Sequence, residues 1–151
     1  MVVAGGPAAV PAGRGADPMR PPAVLRDLAD LQLEGWDTPG RGSICWQTLF
    51  TAGVTQTNSL VCGVATLEPG DDFTLHSHHE PEVYFGVEGE TTVMVDGTPC
   101  RLAPGAAIFI PSNAVHGIAS VSERVRFFYV FAADRFEDIT YTFVPPGIAL
   151  N

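Results

Sequence analysis

Lysine is missing altogether from this sequence of 151 residues. Its eight basic side chains are all arginines, seventeen side chains are acidic, and the formal charge at pH 7 is −9. That balance excludes a surface built to neutralise phosphates, so no nucleic-acid partner is expected. Cysteine is sparse as well. Cys45, Cys62 and Cys100 are odd in number, widely spaced and free of any CxxC pairing, which argues against a disulfide framework or a zinc knuckle and for a reducing cytoplasm. Long apolar runs are also lacking. Without about 18 consecutive apolar residues, no transmembrane helix and no membrane partner are expected. Residues 1–21 are apolar in composition but broken by Gly and Pro every few positions, with no basic start before an unbroken apolar stretch. They read as a disordered leader rather than a signal peptide. Residues 22–151 have the length of one ordinary domain, so a single domain should carry the whole function.

Within 22–34, Leu25, Leu28 and Leu31 fall at helical spacing with Arg26, Asp27 and Asp30 between them, and Pro22 suits a first turn. The spacing predicts one short amphipathic helix. From Ser43 onward the chain changes to short β-branched, aromatic and aliphatic runs broken by Gly, Pro and Asp about every ten residues, the pattern of an all-β sandwich or barrel. Strands are expected at 43–50, 59–67, 72–78, 82–87, 90–95, 99–102, 106–110, 115–120 and 124–131. Asp96-Gly97 predicts a type I′ hairpin turn. In the last strand a barrel lumen should exclude an unpaired Arg126, which turns Phe127, Tyr129 and Phe131 inward.

Two stretches carry the chemistry. The first runs from Gly70 through His76, His78 and Glu82 to Gly89, and the second from Gly105 through Pro111 to His116. His76 and His78, two apart on a strand, project from one face toward one point, while Ser77 and His79 point away. Glu82, restarting after a His-Glu-Pro turn, and His116, opening a later strand, can complete a site of three imidazoles and one carboxylate. Such a set suits one divalent transition metal, iron, manganese, nickel, cobalt or zinc, and imidazole with carboxylate does not choose among them; ferrous iron is the first expectation. The set leaves coordination positions open, the mark of a catalytic site. His79 and Glu80 sit in an exposed turn and read as solvated. Cys62 reads as a small core hydrophobe.

Tyr84 lies two residues beyond Glu82 on the same face. A dication beside it would favour the phenolate and make it a candidate general base, although its position equally suits a tyrosine filling the barrel interior. Tyr129 and Tyr141 are further candidates of that kind.

Both stretches resemble the two motifs of the cupins. The first matches at every spacing, and the second carries Asn113 where a glycine is usual and Ser120 where an asparagine is usual. Asn tolerates a left-handed backbone, so the turn should survive. The resemblance implies a single jelly-roll barrel over 22–151 with His76, His78, Glu82 and His116 as metal ligands. From about Ile44 to Phe143 the chain further resembles the small single-cupin dimethylsulfoniopropionate lyases. That likeness rests on the strand CWQTLF, the segment TLHSHHEPEVY and the ending FFYVFAADRFEDITYTF. It implies cleavage to dimethyl sulfide and acrylate, with Tyr84 as catalytic base and Tyr141 as a second active-site tyrosine. Trp46, Phe127 and Tyr129 would hold the substrate's sulfonium by cation–π contact. Cupin dioxygenases use the same ligand set, and a non-catalytic cupin that binds a small ligand is a third reading. Apolar outer positions of a strand-rich barrel point to a homodimer.

Overall fold

A computed structural model describes residue 15 and residues 17–148 of the chain. The strands among these residues are β1 (Glu34–Gly35), β2 (Cys45–Phe50), β3 (Val61–Leu67), β4 (Phe73–Ser77), β5 (Glu82–Glu88), β6 (Thr91–Val95), β7 (Thr98–Leu102), β8 (Ala107–Ile110), β9 (His116–Ile118), β10 (Val125–Phe131) and β11 (Thr142–Phe143). They form a six-stranded sheet in the order β1-β2-β3-β10-β5-β8 and a five-stranded sheet in the order β11-β4-β9-β6-β7. Neighbouring strands pair antiparallel, and the faces that meet carry alternate side chains inward.

All nine strands expected from the sequence are present, with ends displaced by one or two residues. In β10, Phe127, Tyr129 and Phe131 are buried, while Arg126 turns outward and lies 4.0 Å from Glu88. Asp96 and Gly97 both have positive φ, 47° and 77°, as a type I′ turn requires. Asn113 adopts the left-handed backbone with φ 63° and donates its N–H to the His78 carbonyl at 2.8 Å. Beside it the Ser112 hydroxyl donates to the His79 carbonyl. These two bonds latch the turn before β9 onto the turn after β4.

The helix expected over 22–34 is not formed. The segment is extended around a single 3₁₀ turn at Leu28–Asp30, and Leu25 is 94% exposed. A helix this short is marginal on its own. Here the Asp27 side chain accepts from the Ala29 N–H at 2.9 Å, and the Gln47 amide of β2 donates to the Leu28 and Leu31 carbonyls at 2.8 and 2.7 Å. Carbonyls bound to a neighbouring strand satisfy the backbone without a helix. Of the leader 1–21, residues 1–14 and 16 lie outside the described residues, and the rest are exposed. No helix among the described residues is long and apolar enough to cross a membrane.

Candidate metal centre

Both sheets contribute to one buried polar cluster. His76 in β4 stands directly opposite His116, the first residue of β9, and His78 follows β4 by one position. Glu82 opens β5 in the other sheet, paired with Phe131 and Ile110. All four side chains are enclosed, with His76 and His116 at 0% exposure, Glu82 at 3% and His78 at 4%.

The hydrogen bonds fix the tautomers. Nδ1 of His76 meets the Thr74 carbonyl at 2.7 Å, Nδ1 of His78 the Glu80 carbonyl at 2.8 Å, and Nδ1 of His116 the Ala114 carbonyl at 3.0 Å. A carbonyl only accepts, so each Nδ1 carries a proton, which leaves Nε2 as the ring atom that can act as a ligand. The three ligand atoms lie within 4.8 Å of one another. Glu82 Oε2 lies 3.2 Å from Nε2 of His78 and 3.3 Å from Nε2 of His116. None of these four atoms has a hydrogen-bond partner. Burial, reinforced by the His116 ring beside it, holds His76 well below the usual imidazole range, which disfavours a proton as the filler.

Four buried polar atoms facing one another without a hydrogen-bond partner make a place that a cation would satisfy. The separations fit one. Two ligands each about 2.0–2.2 Å from a common ion stand roughly 3.0–3.5 Å apart, depending on coordination geometry. The carbonyl partners on Nδ1 are the outer contacts that orient ligating imidazoles. His76, His78, His116 and Glu82 therefore form a donor set suited to a single metal ion.

A narrow apolar cavity adjoins the cluster, bordered by Glu82, Tyr84, Phe127, Tyr129, Trp46 and Tyr141. Every residue singled out from the sequence for catalysis or substrate binding thus borders one space. Tyr84 is 1% exposed, with its ring 4.3 Å from Phe127 and 6.1 Å from His116. Burial, and then the Glu82 carboxylate, push its phenol well above the usual tyrosine value. Tyr141 is half-buried, 5.2 Å from the His76 ring and 5.3 Å from that of His78, and burial raises its phenol in the same way. Tyr129 lies across Gly63, where a Cβ would come within 2.5 Å of its hydroxyl, so only glycine at 63 leaves room for the ring. Burial raises Tyr129 too.

Sequence reasoning missed Trp36, Phe136 and Phe143. Trp36 lines the cavity at 5.0 Å from both Trp46 and Tyr141, and Phe136 stacks on Trp46 at 5.7 Å. Phe143 stacks on Tyr141 at 5.9 Å and lies 5.4 Å from His76. The signal for Trp36 was a large aromatic in the otherwise polar stretch Gly35–Gly42. His79 is exposed, as expected, but Glu80 is not simply solvated. It is half-buried, with Oε2 shielded and without a hydrogen-bond partner, because the turn folds back toward the barrel. Cys62 is buried, and that burial pushes its thiol up.

Residues 63–131 match the cupin domain family. Over 123 residues the chain is 37% identical to the dimethylsulfoniopropionate lyase DddW of Ruegeria pomeroyi, covering 82% of this chain and 80% of that one. A shorter match, 29% identical over 80 residues, is to the 5-nitrosalicylic acid 1,2-dioxygenase of a Bradyrhizobium species, covering 53% of this chain and 39% of the dioxygenase. Among solved structures, one from a study of the DMSP lyases RdDddP and RnDddQII superposes with a TM-score of 0.65 at 21% identity, over 76% of this chain and 63% of that one, a likeness of fold. By its motifs, its two-sheet barrel and its identity to DddW over four-fifths of both chains, the protein belongs to the cupin family, in the group that DddW represents.

Proposed function

We propose that this protein is a metal-dependent lyase that splits dimethylsulfoniopropionate into dimethyl sulfide and acrylate. The observation that carries the reading is the cluster of four unpartnered, buried acceptors opening on a cavity that holds tyrosines, in a chain 37% identical to a dimethylsulfoniopropionate lyase. His76, His78, Glu82 and His116 hold one divalent ion, ferrous iron first among the candidates. An ion held there would supply Lewis acidity toward a substrate carboxylate and toward charge developing on the carbon beside it.

The chain's own residues do the rest. Tyr84, as the phenolate left once its own proton has passed to solvent, takes the proton from the carbon next to the carboxylate, the electron pair forms the new double bond, and the β-carbon–sulfur bond breaks. Sulfur leaves with its bonding pair as neutral dimethyl sulfide. Burial and Glu82 hold the Tyr84 phenol well above its usual value in the metal-free protein, and positive charge beside it would bring it back toward the phenolate that the step needs. Tyr141, whose ring lies beside those of His76 and His78, is the second active-site tyrosine. Phe127 and Tyr129 face the sulfonium, and the aromatic wall excludes water.

Two features of the whole protein belong to this reading. The outer face of β5 and β8 exposes Phe85, Val87 and Phe109 at 43, 48 and 65%, with Phe128 and Val130 of β10 beside them. The three exposed side chains alone leave on the order of 300 Å² of apolar surface, the size of a functional patch. A second copy of the chain covers it, giving a homodimer. Three free cysteines suit a reducing cytoplasm.

The test is purified protein loaded in turn with iron, manganese, nickel, cobalt and zinc, assayed for headspace dimethyl sulfide, with metal counted per chain. His76→Ala and His116→Ala should stay folded, lose the metal and release no dimethyl sulfide. Metal retained in both variants would overturn the assignment.

A further inference from the structure

Beyond the four acceptors, the cavity contains polar groups that a metal ion does not satisfy. The indole N–H groups of Trp36 and Trp46 are both shielded from solvent and have no hydrogen-bond partner. Both rings line the same cavity as Glu82 and Tyr84. Trp46 is 8% exposed, so its N–H has no access to bulk water. An indole nitrogen donates and never accepts, and buried tryptophans ordinarily find an acceptor. Two unpaired indole donors, with the Tyr129 hydroxyl also unpartnered on the same lining, mark a place for an acceptor that comes from outside the chain.

The packing also says which part of each ring is available. The Arg41 guanidinium lies over the Trp36 ring at 5.1 Å and over Phe143 at 5.2 Å, and Phe143 meets Trp36 edge-on at 5.5 Å. Phe136 stacks on Trp46 at 5.7 Å with 28° between the planes. One face of each indole is therefore already covered, Trp36 by a cation and Trp46 by an aromatic ring. That leaves the N–H edges as the groups without a partner.

We infer that Trp36 and Trp46 are anion-recognition residues, whose indole N–H groups hold the ligand's carboxylate oxygen that is turned away from the histidine cluster. The inference rests on the reading of the site as one for a small carboxylate, and it assigns Trp46 a donor role in place of the cation–π role expected of it from the lyase resemblance. It makes Trp36, outside both cupin motifs, a determinant of specificity. Charge-assisted bonds to an anionic oxygen are about twice as strong as neutral ones, so losing either should be measurable. Arg41 acts through Trp36, as a positioning residue.

Two ligands separate the donor role from the aromatic face. Propionate carries the carboxylate without a leaving group, and trimethylsulfonium carries the cation without a carboxylate. Metal-loaded Trp36→Phe and Trp46→Phe keep an aromatic ring and remove the N–H. Each should weaken propionate binding about tenfold or more while changing trimethylsulfonium binding by less than about twofold, at unchanged metal content. In turnover the same variants should raise KM more than they lower kcat. Unchanged propionate affinity in both variants, or a loss confined to trimethylsulfonium, would overturn the inference. If Trp46→Phe does not fold, the half-buried Trp36→Phe decides alone. Indole-dependent propionate binding in a protein that releases no dimethyl sulfide would uphold the anion site and reject the lyase.

Discussion

Each of His76, His78 and His116 gives its Nδ1 proton to a backbone carbonyl two residues away, and that small regularity turns three core histidines into a ligand set. The sequence spacing shows that the imidazoles share a face, but it does not show which nitrogen is free. Burial gives the site a pH dependence of definite sign. In the metal-free protein, burial and the His116 ring lower the folded value of His76. Between that lowered value and about 6.5, the unfolded chain binds a proton that the folded chain does not. Stability should be full above about pH 6.5 and fall as the pH drops through that value. Thermal melts of the metal-free protein from pH 8 to pH 5 check this, and a melting temperature that rises toward acid would refute it. Tyr84 offers a second prediction at this scale. Tyr84→Phe preserves the packing against Phe127 and removes one hydroxyl, so a general-base role predicts a loss of about 10²–10⁴ in kcat with metal content unchanged. A loss below about tenfold would move the base to Tyr141.

At the scale of elements, the strands were legible because alternation and turn chemistry agree. Val125–Phe131 alternates buried and half-buried positions throughout, and Asp96-Gly97 specifies its own turn. The N-terminal segment was not legible, because its leucine spacing describes a helix while its fate is decided by Gln47, a residue of a different strand. Periodicity within a segment carries no information about a side chain arriving from elsewhere. Strands β1 and β11, two residues each, have no period to read, yet they bring Trp36, Tyr141 and Phe143 to the site. The Gln47 amide is thus a strap on the wall that carries Trp36. Gln47→Ala should raise hydrogen exchange in residues 28–36 by tenfold or more, a factor equal to about 1.4 kcal/mol, and leave β3 and β10 protected. Uniform exchange across both regions would show that the segment does not depend on the strap.

For the whole molecule, the division of labour follows the two sheets. The five-stranded sheet carries His76 and His116, with His78 just past the end of β4, while the six-stranded sheet carries Glu82, Tyr84 and the inward aromatics of β10, so the site exists only when the barrel closes. In the proposed homodimer, the outer face of the six-stranded sheet is where a partner copy would fit. Phe109→Asp should convert a dimer to a monomer in sedimentation while leaving the melting temperature within a few degrees, and a wild-type protein that sediments as a monomer at micromolar concentration would remove that face from the account. The most direct test of the central claim is the product balance of the metal-loaded protein given dimethylsulfoniopropionate under strict exclusion of oxygen. The account predicts dimethyl sulfide and acrylate in equal amounts, with neither formed by His76→Ala. Absence of both products with every metal supplied, or turnover that starts only when oxygen is admitted and consumes it, would contradict the lyase and favour a dioxygenase.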